Sequence, residues 1–340
     1  MSLQQAIALA GRGDEIPAAC MEAAVGELVS GSASAVRMAA FLVALHTKGE
    51  TVGELAAAAR ALRRRARGVA LPDPRTVDTC GTGGDGAGTF NISTVAAFVV
   101  AGAGWPVAKH GNRGATSRAG SFDLLEALGV AADIEIEAAA RVLREVGIGV
   151  FYARRAHPAM AALASVRAEL PLRTLMNCMG PLLSPVGARR QLVGVYEPSL
   201  VPRLAQVLAE LGAERALVVH GEDGLDEITT TGVTRAAWLD AGGVRSMILD
   251  PLEVGVPRAR PADLRGGSAE DNARIARAIL SGEPGPPRDV VLANAGAALW
   301  VGGASRSWAE GVARARTSLD SGAALAKLEA LARATERLAA

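Results

Sequence analysis

The chain of 340 residues has few aromatic residues, few cysteines and no surplus of charge of either sign. Half of its residues are hydrophobic but only 3% are aromatic, so small side chains supply much of the apolar content, which favours closely packed helices and tight turns. Lysine and arginine total 36 against 35 aspartates and glutamates, which gives a net charge of +1. A chain with this balance has no general field that attracts a polyanion, so we expect no nucleic-acid partner.

The three cysteines, Cys20, Cys80 and Cys178, are too few and too irregularly spaced for a disulfide framework or a metal cluster, and they fit a reducing compartment. The most apolar stretch, residues 95–108, is interrupted by glycine and proline and is shorter than the about 20 residues that a membrane-spanning helix needs. Residues 1–15 lack a basic start followed by an apolar run, so we expect no signal peptide. These absences predict a cytoplasmic protein with no membrane partner.

The order of the predicted elements divides the chain into two parts. Residues 3–67 carry apolar residues at three- and four-residue spacing, which predicts helices, and a proline-rich connection at 71–74 ends this part. Strand and helix patterns alternate afterwards, which predicts an α/β fold with a mostly parallel sheet and helices on both faces. The predicted strands are 76–80, 107–109, 149–152, 192–196, 215–220, 234–240 and 244–249, and the predicted helices between them include 94–101, 123–128, 136–146 and 200–211.

A glycine-rich loop follows the first predicted strand, where residues 78–86 read DTCGTGGDG. Glycines allow the backbone to approach a ligand closely and to turn several N–H groups toward one point. A helix is predicted to begin near Ser93, and its unpaired N–H groups and partial positive charge suit a phosphate or pyrophosphate. Ser93 and Thr94 either cap this helix or bind the anion or its metal. Such a turn often only reverses the chain, and it lacks both the P-loop ending and the spacing of a dinucleotide fingerprint.

A second polar segment, at 109–117, reads KHGNRGATS and follows a short predicted strand. Lys109, His110 and Arg113 are cationic or can become so, and they alternate with small and hydroxyl residues. The segment offers many donors and few acceptors, as an anion site requires. For any single residue in it, a polar surface loop closed by a capping serine is an equally good interpretation.

Two adjacent carboxylates, Asp226 and Glu227, follow the predicted strand at 215–220. They lie past its carboxyl end, where open α/β sheets bind ligands. Magnesium takes one or two protein carboxylates together with phosphate oxygens of a substrate, so this pair is a candidate metal site. Taken alone, an acidic surface loop is the better interpretation, and only the two anion-binding segments reverse that preference.

A candidate carboxylate-binding residue, Arg167, lies on a helix that follows the segment HPAM at 157–160. The proline suits the first turn of a helix. A guanidinium binds a carboxylate through two parallel hydrogen bonds, which lysine cannot imitate. Taken alone, a single helical arginine is usually a surface residue.

With these four segments in place, the chain resembles the anthranilate phosphoribosyltransferase family over essentially its full length. The resemblance begins in the helical part, at 39–45 and at KGET in 48–51, and it includes Asp289 and Asn294 near the end. The motifs that carry it are GTGGD at 81–85, KHGNR at 109–113, HPAM at 157–160, NCMGPL at 177–182 and GLDE at 224–227.

The resemblance implies a reaction, a domain organisation and an assembly. The reaction is transfer of the 5-phosphoribosyl group of phosphoribosyl pyrophosphate to the amine of anthranilate in tryptophan biosynthesis, with two Mg2+ ions. A small helical domain at 1–72 is joined by helices from about 173–188, and a large donor-binding domain comprises 73–172 and 189–340. Members of the family are usually homodimers.

The resemblance also implies roles for residues at matching positions. Lys109, His110, Asp226 and Glu227 take part in catalysis. Gly81, Asn112 and Arg167 contact anthranilate, and Ser93, Asp226 and Glu227 hold the metal. The residues that bind phosphoribosyl pyrophosphate are Gly81, Gly84, Asp85, Thr89, Asn91, Ile92, Ser93, Thr94, Lys109, His110, Gly111, Asn112, Arg113, Gly114, Ala115, Thr116, Ser117 and Ser121.

Two alternatives share the implied fold. A pyrimidine nucleoside phosphorylase cleaves with phosphate, and both the 109–117 segment and the Asp226–Glu227 pair argue against it. A non-enzymatic, nucleic-acid-binding relative would need a basic surface and eroded motifs, whereas this chain is nearly neutral and its motifs are whole.

Overall fold

The computed structural model describes residues 2–71, 73–114, 118–241 and 243–339. Serine or threonine precedes three of the N-terminal helices, and in each case the hydroxyl accepts a hydrogen bond from a backbone N–H of the first turn. These caps satisfy donors that have no partner inside the helix and set where each helix begins. The N-terminal helices are α1 (Leu3–Gly11), α2 (Ala18–Val29), α3 (Ala35–Lys48) and α4 (Val52–Arg63).

Glu54, in the first turn of α4, connects the N-terminal helices through buried hydrogen bonds and an ion pair. Its carboxylate is fully buried and accepts hydrogen bonds from the N–H groups of Ile16 and Thr51 at 2.8 and 2.9 Å. The ammonium of Lys48, also buried, lies 2.9 Å from the same carboxylate. A buried charge is tolerated only with such partners. The cluster therefore holds the end of α3, the start of α4 and the segment before α2 in one arrangement.

A central sheet organises the rest of the chain. Its strands are β1 (Val77–Thr79), β2 (Val107–Gly111), β3 (Ile148–Tyr152), β4 (Arg190–Gly194), β5 (Arg215–Gly221), β6 (Thr234–Asp240) and β7 (Gly243–Leu249). In the described residues these seven strands lie in the order β3-β2-β1-β4-β5-β6-β7. Pairing is parallel from β3 to β5, and β6 and β7 add an antiparallel edge.

The chain reverses its direction across the sheet at β1. It runs outward from β1 through β2 to β3 on one side and then returns to β4 on the other side, so β1 and β4 are neighbours. The loops that leave their carboxyl ends diverge and open a crevice, which is the usual ligand site of an open sheet of this kind. The glycine-rich loop follows β1, so the topology alone locates the candidate site.

The helices after the first part cover both faces of the sheet. Short 3-10 turns lie at Pro158–Leu163, Pro251–Val254 and Pro261–Leu264. No helix among the described residues is both long enough and apolar enough to cross a membrane. The α-helices are α5 (Ile92–Gly102), α6 (Ser121–Ala127), α7 (Ile136–Val146), α8 (Ala153–Ala156), α9 (Ala164–Glu169), α10 (Leu175–Leu182), α11 (Leu200–Glu210), α12 (Ala269–Leu280), α13 (Pro286–Gly302), α14 (Trp308–Asp320) and α15 (Ala323–Ala339).

Alternation along β5 shows how the two cores are built. Leu217 and Val219 pack with α5, α13 and α15 on one face, whereas Ala216 and Val218 pack with α11 and the N-terminal helices on the other. Successive side chains of a strand point to opposite faces, so one strand supplies both cores. The predicted fold class, a helical part with a mostly parallel sheet flanked by helices, is confirmed.

The predicted domain limits, 1–72 with 173–188 against 73–172 with 189–340, stay predictions. Helix α10 lies in the 173–188 segment and packs against α3 and α4. Leu163 and Val166, which precede that segment, belong to the same core as the N-terminal helices. The described helical part is therefore assembled from at least three stretches of the chain.

Candidate active site

The glycine-rich loop leaves the carboxyl end of β1 without forming a helix or strand. Four of its glycines, at 83, 84, 86 and 88, have positive φ values between 66° and 77°, which other residues adopt at a cost. The backbone N–H groups of Gly84, Asp85 and Gly86 donate to no described residue. The loop therefore presents consecutive free donors at the crevice between β1 and β4, as an anion site requires.

Asp226 lies against this loop. Its Oδ2 accepts a hydrogen bond from the N–H of Gly83 at 2.7 Å, across 143 residues of sequence. A Cβ on Gly81 would lie 2.6 Å from the same oxygen, and a Cβ on Gly194 would lie 1.6 Å from the carbonyl oxygen of Asp226. Both positions thus require glycine. Gly194 was not among the predicted site residues, although a glycine that ends a buried strand is a recognisable sign of close backbone approach.

Glu227, the next residue, lies against the start of α5. Its Oε1 accepts a hydrogen bond from the backbone N–H of Ser93 at 3.1 Å. The buried ammonium of Lys109 lies 3.4 Å from the hydroxyl oxygen of Ser93 and donates to the carbonyl oxygen of Thr79 at 2.6 Å. Three separate sequence segments therefore meet at one point, as the motifs predicted.

The expectation of unpaired N–H groups at this helix start is wrong. The N–H of Ser93 is bonded to Glu227, and the N–H groups of Thr94 and Val95 are bonded to the carbonyl oxygen of Asn91. The positive end of α5 is thus already matched by a carboxylate. The free backbone donors lie in the preceding glycine loop instead.

Burial and mutual repulsion disfavour the charged form of the carboxylate pair. Burial raises the pKa of Asp226 well above its ordinary value, and Glu227 and Asp85 raise it further. Burial also raises the pKa of Glu227 to about 7, although Lys109 opposes that shift. Such a pair favours a cation between it and the crevice.

The donor set fits magnesium. Carboxylate and hydroxyl oxygens are the ligands that this ion prefers, and it usually completes its shell with water and substrate phosphate. Within the described ranges, no three histidine, cysteine, aspartate or glutamate side chains gather into a full metal cage. Asp226, Glu227 and the Ser93 hydroxyl therefore suit an ion that the substrate helps to bind.

His110 projects from the opposite face of β2 to Lys109 and is buried. Burial, together with the nearby ring of His157, lowers its pKa to about 3, so the imidazole is neutral at physiological pH. The two ring centroids lie 5.5 Å apart. Nε2 of His157 lies 2.8 Å from the carbonyl oxygen of Leu183.

A buried carboxylate supports the backbone of His110 from β1. Asp78 is fully buried, and its Oδ1 accepts a hydrogen bond from the N–H of His110 at 3.3 Å. Burial raises the pKa of Asp78 to about 7, while Lys109 acts in the opposite direction.

The loop after β2 carries the predicted donors from Gly111 to Ser121. Asn112, Arg113 and Gly114 are exposed, and the guanidinium of Arg113 lies 2.6 Å from the carboxylate of Glu126. The hydroxyl of Ser121 donates to the carbonyl oxygen of Asn112 at 3.1 Å, which closes the loop. The predicted donor-binding residues Ala115, Thr116 and Ser117 lie outside the described residues.

Asn91 is held in place by a second asparagine. Its Oδ1 accepts a hydrogen bond from Nδ2 of Asn272, on α12, at 2.9 Å, and its own Nδ2 donates to the carbonyl oxygen of Ala119 at 3.1 Å. The amide therefore links the start of α5 to the loop before α6. Asn272 has no signal in the sequence pattern, because its partner is 181 residues away.

The remaining predicted donor-binding residues near α5 are less accessible. Ile92 and Thr94 are buried, and the hydroxyl of Thr94 has no hydrogen-bond partner among the described residues. Thr89 is partly buried and forms an isolated antiparallel bridge with Arg265.

Two arginines lie in the segment between β3 and α10. Arg167, on α9, is exposed and makes no hydrogen bond or ion pair with any described residue. Arg173, which the sequence analysis did not single out, stacks over the ring of Tyr196 at 4.1 Å and donates to the carbonyl oxygen of Gly84. Arg173 thus joins the segment before α10 to the glycine-rich loop.

Comparison with known proteins agrees with this architecture. Models of the glycosyl transferase family match residues 4–66 (helical bundle domain) and residues 73–325 (a/b domain). An anthranilate phosphoribosyltransferase from Rubrobacter xylanophilus is 52% identical over 338 residues, which cover 99% of this chain and 98% of that protein. The chain belongs to the anthranilate phosphoribosyltransferase family.

Solved structures of anthranilate phosphoribosyltransferases superimpose on this family member closely. The Thermus thermophilus enzyme has a TM-score of 0.93 at 44% identity, over 97% of this chain and 99% of that one. The Saccharomyces cerevisiae enzyme, in complex with phosphoribosyl pyrophosphate and magnesium, has a TM-score of 0.90 at 27% identity, over 99% of this chain and 98% of that one.

Proposed function

We propose that the protein transfers the 5-phosphoribosyl group of phosphoribosyl pyrophosphate to the amine of anthranilate, with release of pyrophosphate, as a step of tryptophan biosynthesis. The observation that carries this proposal is the convergence of the free N–H groups of Gly84 to Gly86 with Asp226 and Glu227 at the crevice between β1 and β4. Full-length similarity to enzymes of this name supports the same reaction.

The donor is placed along the glycine-rich loop. The N–H groups of Gly84, Asp85 and Gly86 are available to a pyrophosphate oxygen, and β2, which carries Lys109, lies on the side of β1 away from β4. Preorganised backbone donors of this kind stabilise the charge that develops on a leaving group. Lys109 contributes a positive charge next to the donor, because its ammonium contacts the carbonyl oxygen of Thr79 and the hydroxyl of Ser93.

Two magnesium ions are proposed, held by Ser93, Asp226 and Glu227 with oxygens of the donor. When bound, magnesium neutralises the negative charge of the departing pyrophosphate. The protein contributes the two buried carboxylates, whose charged form a bound cation would stabilise, and the fixed position of Ser93 at the start of α5.

Anthranilate is proposed to lie between Gly81, Asn112 and Arg167. The guanidinium of Arg167 has no described partner, so it is free to bind the acceptor carboxylate in a bidentate manner. The neutral amine then attacks the anomeric carbon of the ribose, the new C–N bond forms, and the C–O bond electrons leave with pyrophosphate. The amine proton passes to water, because a pKa lowered to about 3 makes the ring of His110, predicted as catalytic, a weak proton acceptor. Positioning supplies much of the rate, and no covalent intermediate is needed.

We further propose a homodimer in the cytoplasm. The family resemblance supports the dimer, and the few, unpaired cysteines support a reducing compartment: Cys20, Cys80 and Cys178 are free thiols in the structure. Light scattering after gel filtration measures the assembly, and a monomer over the working range of concentration would contradict it.

The function is tested by following the fluorescence of anthranilate with purified protein. Loss of the signal is expected only when both phosphoribosyl pyrophosphate and magnesium are present. The same protein incubated with thymidine and phosphate is expected to release no thymine, which separates the transferase from a phosphorylase. Salt-dependent DNA binding without anthranilate turnover would overturn the proposal in favour of a nucleic-acid-binding protein.

A further inference from the structure

Asn294 is a buried amide in an apolar helix. It lies near the middle of α13, where residues 290–299 are all buried. A polar group in such surroundings is unfavourable unless its hydrogen bonds are made. The contacts of Asn294 therefore indicate what its side chain does.

The amide of Asn294 binds both backbone groups of one residue. Its Oδ1 accepts a hydrogen bond from the N–H of Ile228 at 3.0 Å, and its Nδ2 donates to the carbonyl oxygen of Ile228 at 2.8 Å. The second amide hydrogen is bonded to the carbonyl oxygen of Val290 at 2.9 Å, one turn earlier in α13. The side chain thus acts for Ile228 as a neighbouring strand would, and its orientation is set by its own helix.

Ile228 directly follows the carboxylate pair. Residues 222–233 form neither helix nor strand, so no ladder of backbone hydrogen bonds holds Asp226 and Glu227 in place. The backbone of Gly194 packs closely against that of Asp226 and restricts its position. Asn294 binds the backbone of Ile228, two residues later. Helix α13 also packs against α5, which carries Ser93.

We infer that Asn294 is a positioning residue, which fixes the backbone of the Asp226–Glu227 loop so that the two carboxylates face the Ser93 hydroxyl and a shared cation. This inference rests on the proposed metal role of the pair. Partners that orient metal ligands typically change metal affinity about 10- to 100-fold when they are lost. The hydrogen bonds of Asn294 go to the backbone of Ile228 and Val290, so its loss is expected to act through the carboxylates.

The test compares Asn294→Leu, which keeps the branched shape but removes all three hydrogen bonds, with Asn294→Ala. The matched control is Thr335→Val, because the Thr335 hydroxyl is also buried in a C-terminal helix and accepts a backbone hydrogen bond, from Ala131 at 3.1 Å, away from the site. Binding of Mn2+ as a probe for Mg2+ is measured by electron paramagnetic resonance in the presence of phosphoribosyl pyrophosphate. The Mg2+ concentration that gives half-maximal turnover is measured in parallel.

For both Asn294 variants, the dissociation constant of Mn2+ and the half-maximal Mg2+ concentration are expected to rise about 10- to 100-fold, with little change in the KM for anthranilate. Thr335→Val is expected to lower the melting temperature without changing either metal constant. Unchanged Mn2+ affinity in a folded Asn294→Ala or Asn294→Leu protein would reduce Asn294 to a structural role. If Glu227→Gln also binds Mn2+ like the unmodified protein, the proposed metal site itself is wrong, and the two failures are thereby distinguished.

Discussion

Glu227 accepts a hydrogen bond from the backbone N–H of Ser93 at 3.1 Å, although the two residues are 134 positions apart in the chain. The bond joins the loop after β5 to the start of α5 across the sheet. It places a carboxylate at the positive end of a helix and, at the same time, beside the Ser93 hydroxyl. One contact therefore both caps the helix and assembles the oxygen ligands of the candidate metal site.

Replacing the two carboxylates with amides, in Asp226→Asn with Glu227→Gln, is expected to lower kcat/KM by a factor of about 100 or more, because a bound metal contributes several kcal/mol of charge stabilisation. Turnover measured against Mg2+ concentration checks this. Glu222→Gln, in the same loop but exposed and paired with Arg235, is the control and is expected to behave like the unmodified protein. Equal Mg2+ dependence in the double variant and the control would remove the metal assignment.

Adding a methyl group at Gly194 is expected to be more harmful than adding one at Gly81. At Gly194 the new Cβ would meet the carbonyl oxygen of Asp226 at 1.6 Å, and this backbone atom must move, so we expect a loss of about 3 kcal/mol or more in the free energy of unfolding. At Gly81 it would meet the Asp226 side chain at 2.6 Å, which disturbs activity more than stability.

The control for these glycines is Gly232→Ala, since a Cβ there meets no atom within 4 Å and φ is not positive. Denaturant unfolding and kcat/KM are measured for all three variants. A Gly194→Ala protein as stable and active as Gly232→Ala would contradict the close approach of β4 to the carboxylate loop.

Removing the guanidinium in Arg167→Ala is expected to raise the KM for anthranilate about 10- to 100-fold, because a hydrogen-bonded charge contributes about 1.5–3 kcal/mol. The KM for phosphoribosyl pyrophosphate is expected to change little. Arg154→Ala removes another exposed arginine that has no hydrogen bond or ion pair with the described residues, and it serves as the control. If both variants have the same anthranilate KM, Arg167 does not bind the acceptor.

The buried carboxyl of Asp78 predicts a dependence of stability on pH. Its pKa is raised to about 7, so between roughly pH 4 and pH 7 the folded state keeps a proton that the unfolded state has lost. The free energy of unfolding therefore falls as pH rises through this range, by at most about 1.4 kcal/mol per pH unit from this group, and the effect levels off above pH 7.

Asp78→Asn is expected to reduce this slope by the contribution of one carboxyl, because the amide cannot ionise and still accepts the hydrogen bond from the N–H of His110. Glu227, whose pKa is also raised to about 7, keeps its own contribution. Urea unfolding at a series of pH values compares the variant with the unmodified protein, and Glu222→Gln is again the exposed control. Parallel pH profiles for Asp78→Asn and the unmodified protein would show that Asp78 does not titrate as proposed.

The sequence by itself determined the local elements and the segments that meet at the candidate site. Helix α7 and strand β6 have the predicted bounds, because hydrophobic periodicity depends only on near neighbours. The glycine-rich loop, the Lys109 segment and the Asp226–Glu227 pair were recognisable because each motif is contiguous. The family resemblance followed from their order along the chain.

Only the tertiary structure decided how these segments meet. The partners of Ser93, Asn272 and Asn294 lie 134, 181 and 66 positions away, and strand order, not local pattern, brings them together. The sequence predicted an unpaired N–H at Ser93, which donates to Glu227 in the fold. Gly194 was not a predicted site residue, yet it cannot accommodate a Cβ. Contacts of this kind arise from the path of the backbone through the sheet, and a single sequence carries no local record of that path.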